Sequence, residues 1–172
     1  MTNISKKIYT VFILSVLIYI DQLSKRLSVN HLKGQPALPL IPDVLEFSYV
    51  ENTGAAFSIF RGQQTFLIML TGVIMLFLVI KYFQIPKHRH YLPMKICFLL
   101  IISGGIGNMI DRISLGYVVD FIYIVFINFP VFNLADCYVT IGMILMTLTG
   151  IFLYEEQDID FLFSLRRKSK KS

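Results

Sequence analysis

Four long apolar runs, separated by polar stretches, dominate the chain. They lie at about residues 8–27, 65–83, 94–113 and 135–154. Each is close to the ~20 residues that an α-helix needs to cross the hydrocarbon core of a bilayer. The uninterrupted apolar part of the first run, 8–20, is followed by Asp-Gln-Leu-Ser-Lys and not by a small-residue cleavage site, so we expect a retained helix. The pattern predicts an all-α membrane protein with four transmembrane helices.

The polar stretch at 28–64 is long enough to contain structure of its own, and its three prolines before residue 43 argue against a helix there. Alternating apolar and polar residues at 45–49 predict a half-buried strand. Asn-Thr-Gly at 52–54 predicts a turn, and 55–60 would form the returning strand. We therefore expect a small extracytoplasmic β-sheet element beside the four helices.

The apolar stretch at 118–132 is a candidate fifth span. It has only fifteen residues and contains Asp120, Asn128 and Pro130. As a span it would also reverse the last helix and place the basic C-terminal tail outside. We interpret it as part of a second outer loop, 114–134, in or near the outer interface. Residues 1–172 then form a single membrane domain with outer loops at 28–64 and 114–134.

The distribution of basic residues predicts the orientation. With the N-terminus inside, 11 of the 16 Lys and Arg residues fall on the cytoplasmic side and 5 on the outer side. Because cytoplasmic loops carry an excess of Lys and Arg, both termini are expected in the cytoplasm.

Composition agrees with a membrane protein and excludes other classes. The chain is 55% hydrophobic and 16% charged, whereas soluble domains average about 45–50% and about 25%. The net charge of +5 does not indicate nucleic-acid binding, because the basic residues flank apolar runs and form no stripe with interleaved aromatics. His31, His88 and His90 lack metal-ligand spacing with the carboxylates. The chain has no phosphate-binding Gly-Lys-Ser/Thr loop and no Gly-x-Ser-x-Gly elbow.

Three apolar runs meet an aspartate at the end that this orientation places outside. Asp21 lies at the end of the first run, Asp111 at the end of the third and Asp136 at the start of the fourth. Asp120 lies in the loop between the third and fourth runs. Carboxylates at membrane depth are costly and mark functional sites by default. The four carboxylates are therefore expected to converge into one site.

Two of these aspartates have a cation within reach. Asp21 and Lys25 are four residues apart on one helical face, either as an ion pair with Lys25 extended outward or as organisers of a nearby site. Asn108, Asp111 and Arg112 share another helical face, and Arg112 can hold Asp111 bidentately. We interpret both groups as the framework of the site.

Asp120 and Asp136 have no adjacent cation. Asp120 could be a solvated loop residue and Asp136 a helix N-cap. Alternatively they form a pair that shares a proton, because two close carboxylates cannot both ionise easily. One would then activate a water while the other donates a proton. Asn133, three residues before Asp136, could orient the pair.

Five motifs in order resemble the lipoprotein signal peptidase family, the signal peptidase II of bacteria. They are Asp-Gln-Leu-Ser-Lys at 21–25, Asn-Thr-Gly-Ala-Ala-Phe at 52–57, Gly-Asn-Met-Ile-Asp-Arg at 107–112, Val-Val-Asp-Phe at 118–121 and Phe-Asn-Leu-Ala-Asp at 132–136. Any one of these motifs is weak evidence, but five in order across all four spans are specific.

The resemblance implies an aspartic endopeptidase of the bacterial cytoplasmic membrane, with its active site toward the extracytoplasmic face. Its substrates would be diacylglyceryl-modified prolipoproteins, cleaved just before the lipidated cysteine. Asp120 and Asp136 would be the catalytic dyad. The positions that match the surrounding site are Asp21, Lys25, Asn52, Gly54, Asn108, Asp111, Arg112, Asn133 and Ala135.

The resemblance also implies inhibition by the cyclic peptide globomycin. We further expect a monomer in contact with membrane lipid, with no metal, no cofactor and no nucleic-acid partner. The loop at 28–64 is the candidate for substrate contact, as an apolar cover that would help to exclude water from the dyad.

A transporter coupled to protons or cations is the alternative that uses the same carboxylates. Such a protein would need polar residues through the membrane toward both faces. The second span has only Thr65, Thr71 and Gly72 as non-apolar interior candidates, and the carboxylates stop at the outer ends. The peptidase is therefore the favoured hypothesis.

Overall fold

The computed structural model describes residues 3–54, 60 and 62–163. The helices within these residues are α1 (Asn3–Leu32), α2 (Gln64–Gln84), α3 (Leu92–Leu115), α4 (Leu134–Phe152) and α5 (Glu156–Phe163). The first four are long and apolar enough to cross a membrane, which confirms the predicted fold class. The sequence did not predict α5. Helix α1 also continues past its predicted end at 27, so the loop expected at 28–64 begins with a helical segment.

Helix α3 lies at the centre of the bundle. More than half of its membrane segment is buried, 56%, against 6% for α1, 17% for α2 and 11% for α4. Apolar side chains on these three outer helices, including Val11, Val73 and Met143, are exposed on the protein surface. In a membrane protein such side chains face lipid, so the helices that surround α3 present apolar surfaces to the bilayer.

Glycines at 104 and 107 bring α3 close to its neighbours. A Cβ at Gly104 would collide with the backbone oxygen of Ala135 on α4, and one at Gly107 would lie 2.5 Å from Asp21 Oδ2 on α1. Close backbone approach of this kind is typical of helix packing in membranes. Here it brings α1, α3 and α4 together at the level of the aspartates.

A three-stranded antiparallel sheet follows the order β1 (Leu38–Ile41), β2 (Leu45–Asn52) and β3 (Val118–Ile124). The strand predicted at 45–49 is therefore correct, and its partners among the described residues are β1 and β3. Pro39 lies on the edge strand β1, where a missing N–H costs least. Of the predicted returning strand, residues 55–59 lie outside the described residues and Phe60 is in a turn with φ 59°.

The stretch at 118–132 is not a helical span. It forms β3, a 3-10 turn at Val125–Ile127 and a return in which Phe132 N donates to Ile122 O at 3.0 Å. Its β-branched residues favour a strand. Because β3 pairs with β2, Asp120 is held opposite Val50 of β2.

The opposite end of the bundle is closed by α5 and Tyr154. Tyr154 OH donates to His90 O at 3.1 Å, and Asp158 accepts from Tyr91 OH at 2.8 Å. Tyr154 is also part of an apolar core with Met94 and Phe98. These contacts fix the start of α3 at the end of the bundle opposite Asp21, Asp111, Asp120 and Asp136.

Candidate active site

The four aspartates predicted to converge, Asp21, Asp111, Asp120 and Asp136, lie where the second half of α1, the second half of α3, the start of α4 and β3 meet. Asp21, Asp111 and Asp120 are buried, and Asp136 is half-buried. The predicted convergence is therefore present. The surrounding hydrogen bonds divide the four carboxylates into two groups.

Lys25 is at the centre of the first group. Its Nζ lies 3.0 Å from Asp21 Oδ2 and 3.0 Å from Asp111 Oδ2, and it donates to Asn108 Oδ1 at 2.9 Å. The three acceptors match the three protons of an ammonium group. Lys25 is 2% exposed, so the expectation that it extends outward is wrong. Two carboxylates and an amide oxygen compensate for the loss of water around the buried charge.

Asp21 and Asp111 also fix backbone groups of neighbouring elements. Asp21 Oδ1 accepts from the N–H of Ala135 at 2.9 Å, in the first turn of α4. Asp111 Oδ2 accepts from Val119 N at 3.1 Å, which holds β3 against α3. The orphan N–H groups at a helix start favour a negative partner of this kind. This pair of carboxylates therefore positions the elements that carry Asp120 and Asp136.

Gln22 belongs to the same network, and the sequence reasoning missed it. Its Nε2 donates to Asp111 Oδ1 at 3.0 Å, with longer contacts to Asp21 Oδ2 and to Gly107 O, both at 3.2 Å. Its place beside Asp21, at the polar end of an apolar run, was the signal that could have found it.

Arg112 does not hold Asp111, contrary to the expectation. Its Nη2 donates to Gly54 O at 3.1 Å, and its buried Nε has no hydrogen-bond partner among the described residues. Successive residues on a helix point in different directions, so Asp111 and Arg112 face different neighbours. Arg112 instead fastens the turn after β2 to α3.

Asn52 connects that turn to Asp120. Its Oδ1 accepts from Gly54 N at 2.9 Å, and its Nδ2 donates to Asp120 Oδ2 at 2.9 Å. Asp120 is 2% exposed and lies within β3. The interpretation of Asp120 as a solvated loop residue is therefore excluded.

Asn133 joins the two remaining carboxylates. Its Nδ2 donates to Asp120 Oδ1 at 2.6 Å, and its Oδ1 accepts from Asp136 N at 3.1 Å. Asn133 is the N-cap of α4, and Asp136 Oδ2 accepts from Asn133 N to complete a capping box. Asp136 is thus the N3 residue and not the N-cap. Its Oδ1 accepts from Asn108 Nδ2 at 2.7 Å.

Amide groups therefore surround the Asp120–Asp136 pair, and Asn108 separates it from the buried cation. Asn108 accepts from Lys25 through its oxygen and donates to Asp136 through its nitrogen. The pKa of Asp120 is raised from 3.8 to about 7, first by burial and second by the nearby Asp136 carboxylate. The hydrogen bonds from Asn52 and Asn133 lower it in part. Asp120 can thus hold a proton more readily than an ordinary aspartate.

A cavity of about 860 Å³ opens beside this pair. Its polar end contains Asn52, Arg112, Asp120 and Asp136, and most of its remaining wall is apolar. It extends along α4 as far as Ile141, which is exposed on the protein surface. An extended, largely apolar peptide entering from the bilayer would fit such a cavity.

Within the described residues, no three His, Cys, Asp or Glu side chains are arranged to hold a metal ion. Cys97 and Cys137 are both free. What the site offers chemically is a pair of neighbouring carboxylates, of which the buried one, Asp120, can hold a proton.

Known proteins resemble this chain in both sequence and fold. A family model described as "Signal peptidase (SPase) II" matches residues 13–152. Lipoprotein signal peptidases of Streptococcus pyogenes serotype M5 (strain Manfredo) and serotype M18 (strain MGAS8232) are each 41% identical over 154 residues. These alignments cover 89% of this chain and 97% of each relative.

Two solved structures, described as bacterial membrane enzyme structures obtained by the in meso method, have a similar fold. The one at 2.3 Å resolution has a TM-score of 0.72 and 32% identity, and covers 86% of this chain and 92% of its own. The one at 1.9 Å has a TM-score of 0.72 and 34% identity, with 84% and 93% covered.

Proposed function

Because the chain belongs to the signal peptidase II family of lipoprotein signal peptidases, we propose that it cleaves diacylglyceryl-modified prolipoproteins just before the lipidated cysteine. The reaction is the hydrolysis of one peptide bond by a water molecule that Asp120 and Asp136 activate. The observation that carries this proposal is that Asn133 donates to both carboxylates, through Nδ2 to Asp120 and through its backbone N to Asp136, at the polar end of a cavity with apolar walls.

The proposed mechanism requires one proton on the pair. The ionised carboxylate takes a proton from water as the water oxygen bonds to the scissile carbonyl carbon, while the protonated carboxyl donates to the carbonyl oxygen. Collapse of the tetrahedral intermediate breaks the C–N bond, and the cysteine nitrogen leaves with a proton. The raised pKa of Asp120 makes it the candidate for the initial proton.

Arg112 is proposed to stabilise the substrate beside the pair. It lines the same cavity and uses one nitrogen for Gly54 O, which leaves further N–H groups for the peptide carbonyls of a bound chain. A cation near the scissile bond also favours negative charge on the carbonyl oxygen in the transition state.

The segment at 28–64 is proposed to cover the bound peptide. Four of its residues line the cavity beside the pair: Val50, Glu51, Asn52 and Thr53. Lipid reaches the exposed faces of the outer helices, so the diacylglyceryl group can remain in the bilayer while the peptide enters. We expect globomycin to compete for this cavity, and a monomer to be sufficient because each of these groups comes from one chain.

Cleavage of a synthetic lipobox peptide by the purified protein tests this proposal. The diacylglyceryl-modified peptide should yield a fragment that begins at the lipidated cysteine, identified by mass spectrometry, and the unmodified peptide is the matched control. Asp120→Asn and Asp136→Asn should each abolish turnover while the protein remains folded. Full activity in either variant would exclude the dyad.

A further inference from the structure

A second large cavity lies at the end of the bundle opposite the carboxylates. Its volume is about 810 Å³, and it lies between the start of α1, the end of α2, the 3-10 turn Arg89–Tyr91 and the start of α3. The peptidase site does not use it. Its position and its lining describe a binding site of a different kind.

The lining of this cavity is basic at the end that lies nearer the membrane surface. Lys7 comes from α1, Lys87 and Arg89 from the connection between α2 and α3, and Lys95 from α3. The described lining contains no Asp or Glu. Lys7 and Arg89 are exposed, so their charges face the membrane surface, and Lys87 is exposed beside them.

The character of the wall changes with depth along α1. Thr10 lies about 4.5 Å of helix rise beyond Lys7, and Ile13 about 9 Å beyond it. The hydroxyl of Thr10 lies 2.8 Å from Tyr82 OH, so a polar pair stands between the basic end and the apolar depth. On α3 the same change runs from Lys95 to Leu99.

This order of basic, hydroxyl and apolar groups matches the order of phosphate, ester and acyl chain in a phospholipid. We propose that the cavity binds one anionic phospholipid, such as phosphatidylglycerol. Its phosphate lies among the basic residues and the first part of its acyl chains lies against Ile13, Ile96 and Leu99. Basic residues at a membrane surface attract anionic lipids, and zwitterionic lipids have no net charge to complement them.

The proposal commits to a lipid and not to a free phosphate because of the apolar wall. Phe83, Leu92 and Ile96 line the cavity and are exposed, so an acyl chain would cover apolar surface that a soluble anion leaves in place. The bound lipid would connect α1 to α3 at the end farthest from the dyad.

Native mass spectrometry of the full-length protein with equimolar phosphatidylglycerol and phosphatidylcholine tests the proposal. We expect one phosphatidylglycerol to be retained preferentially. The double variant Arg89→Gln with Lys95→Gln should weaken this retention on the order of tenfold or more. The charge-matched control, Arg26→Gln with Lys33→Gln, changes two basic residues near the other end of α1 and should retain the lipid.

A second variant and a competitor keep the test decisive. Ile96→Trp keeps all charges but fills the apolar wall, and it should also weaken retention. Glycerol 3-phosphate should not displace the lipid. Four outcomes would each overturn the proposal. They are equal retention of both lipids, unchanged retention in both cavity variants (the Arg89/Lys95 double variant and Ile96→Trp), equal loss in the control, and displacement by glycerol 3-phosphate. Cleavage of the lipobox peptide should persist in the cavity variants. The lipid proposal can therefore fail without affecting the peptidase proposal.

Discussion

At the residue scale, the network separates carboxylates that build the site from carboxylates that can react. Asp21 and Asp111 each contact Lys25 and a backbone N–H of another element. Asp120 and Asp136 receive their hydrogen bonds only from amide groups among the described residues. Asp21 and Asp111 thus hold Lys25 and the backbone in place, whereas Asp120, which amide groups hold in a buried site, can exchange a proton.

Asn133 should be separable into a capping role and an active-site role. Asn133→Ser keeps a side-chain oxygen for the N-cap but removes the donor to Asp120, so the free energy of unfolding should change little while kcat falls on the order of a hundredfold. Asn133→Ala should lose the same activity and also about 1 kcal/mol of stability. Steady-state cleavage and unfolding in detergent measure both effects. An Asn133→Ser enzyme with normal kcat would contradict this assignment.

The protonation of Asp120 should be visible in the pH dependence of stability. Its folded pKa is about 7 against 3.8 for the ordinary group, so the folded chain binds a proton that the unfolded chain has released. The resulting stability is fully present below about pH 4 and is lost as pH rises through about 7. Asp120→Asn should flatten the decline of Tm over this interval.

Asp43→Asn is the matched control for this experiment. Asp43 is exposed in the turn between β1 and β2, and its positive φ of 59° is also tolerated by Asn. A decline of Tm that Asp43→Asn removes and Asp120→Asn leaves intact would contradict the assignment.

At the element scale, the close approach of α3 to α1 and α4 positions the framework. Ala135 is 0% exposed, and its backbone lies where a side chain at Gly104 would be. The same crossing brings Asp21 to the first turn of α4. The helices can therefore move apart only at the cost of the hydrogen bonds that orient the site.

Gly104→Ala should destabilise the protein by about 1–3 kcal/mol, because the added methyl group must push α4 away from α3. Activity should fall as well, since α4 carries Asp136. Gly150→Ala on α4 is the matched control, because a Cβ there meets nothing within 4 Å. The control should be neutral or stabilising, as expected when Ala replaces Gly in a helix. Unfolding and cleavage measurements on both variants distinguish packing from a general intolerance of mutation.

The sheet illustrates how far the sequence could predict an element. Alternation identified the strand at 45–49, since period-two patterns depend only on local residues. Its partner β3 comes from about seventy residues later in the chain, and a strand pattern contains no information about its partner. The nearer segment at 55–60 was therefore expected as the partner; its residues 55–59 lie outside the described residues, and the partners that the structure describes are β1 and β3.

At the scale of the whole molecule, the two ends of the bundle differ in chemistry. The four aspartates and the 860 Å³ cavity lie at one end, and the basic 810 Å³ cavity lies at the other. A peptidase that acts at one membrane surface needs one such site. A coupled transporter would instead need a polar path between the ends.

Chemical labelling should establish the orientation of the two ends. In a background with Cys97 and Cys137 replaced by Ala, a membrane-impermeant maleimide added to intact cells should label Lys33→Cys and spare Arg89→Cys. Permeabilised cells are the control, in which both variants should react. The reverse pattern in intact cells would place the carboxylates in the cytoplasm and contradict the proposed topology.

The sequence by itself determined the four spans and the positions of the carboxylates, because a helix in lipid must be long and apolar along its own length. The family motifs gave the candidate site residues, whose roles stay predictions. Only the tertiary structure decided which partner each residue takes: Lys25 turns inward to two aspartates, Arg112 reaches Gly54 and not Asp111, and Asp120 meets Asn133 through β3. These partners come from different elements, and side-chain direction and close helix crossing, which local patterns do not encode, bring them together.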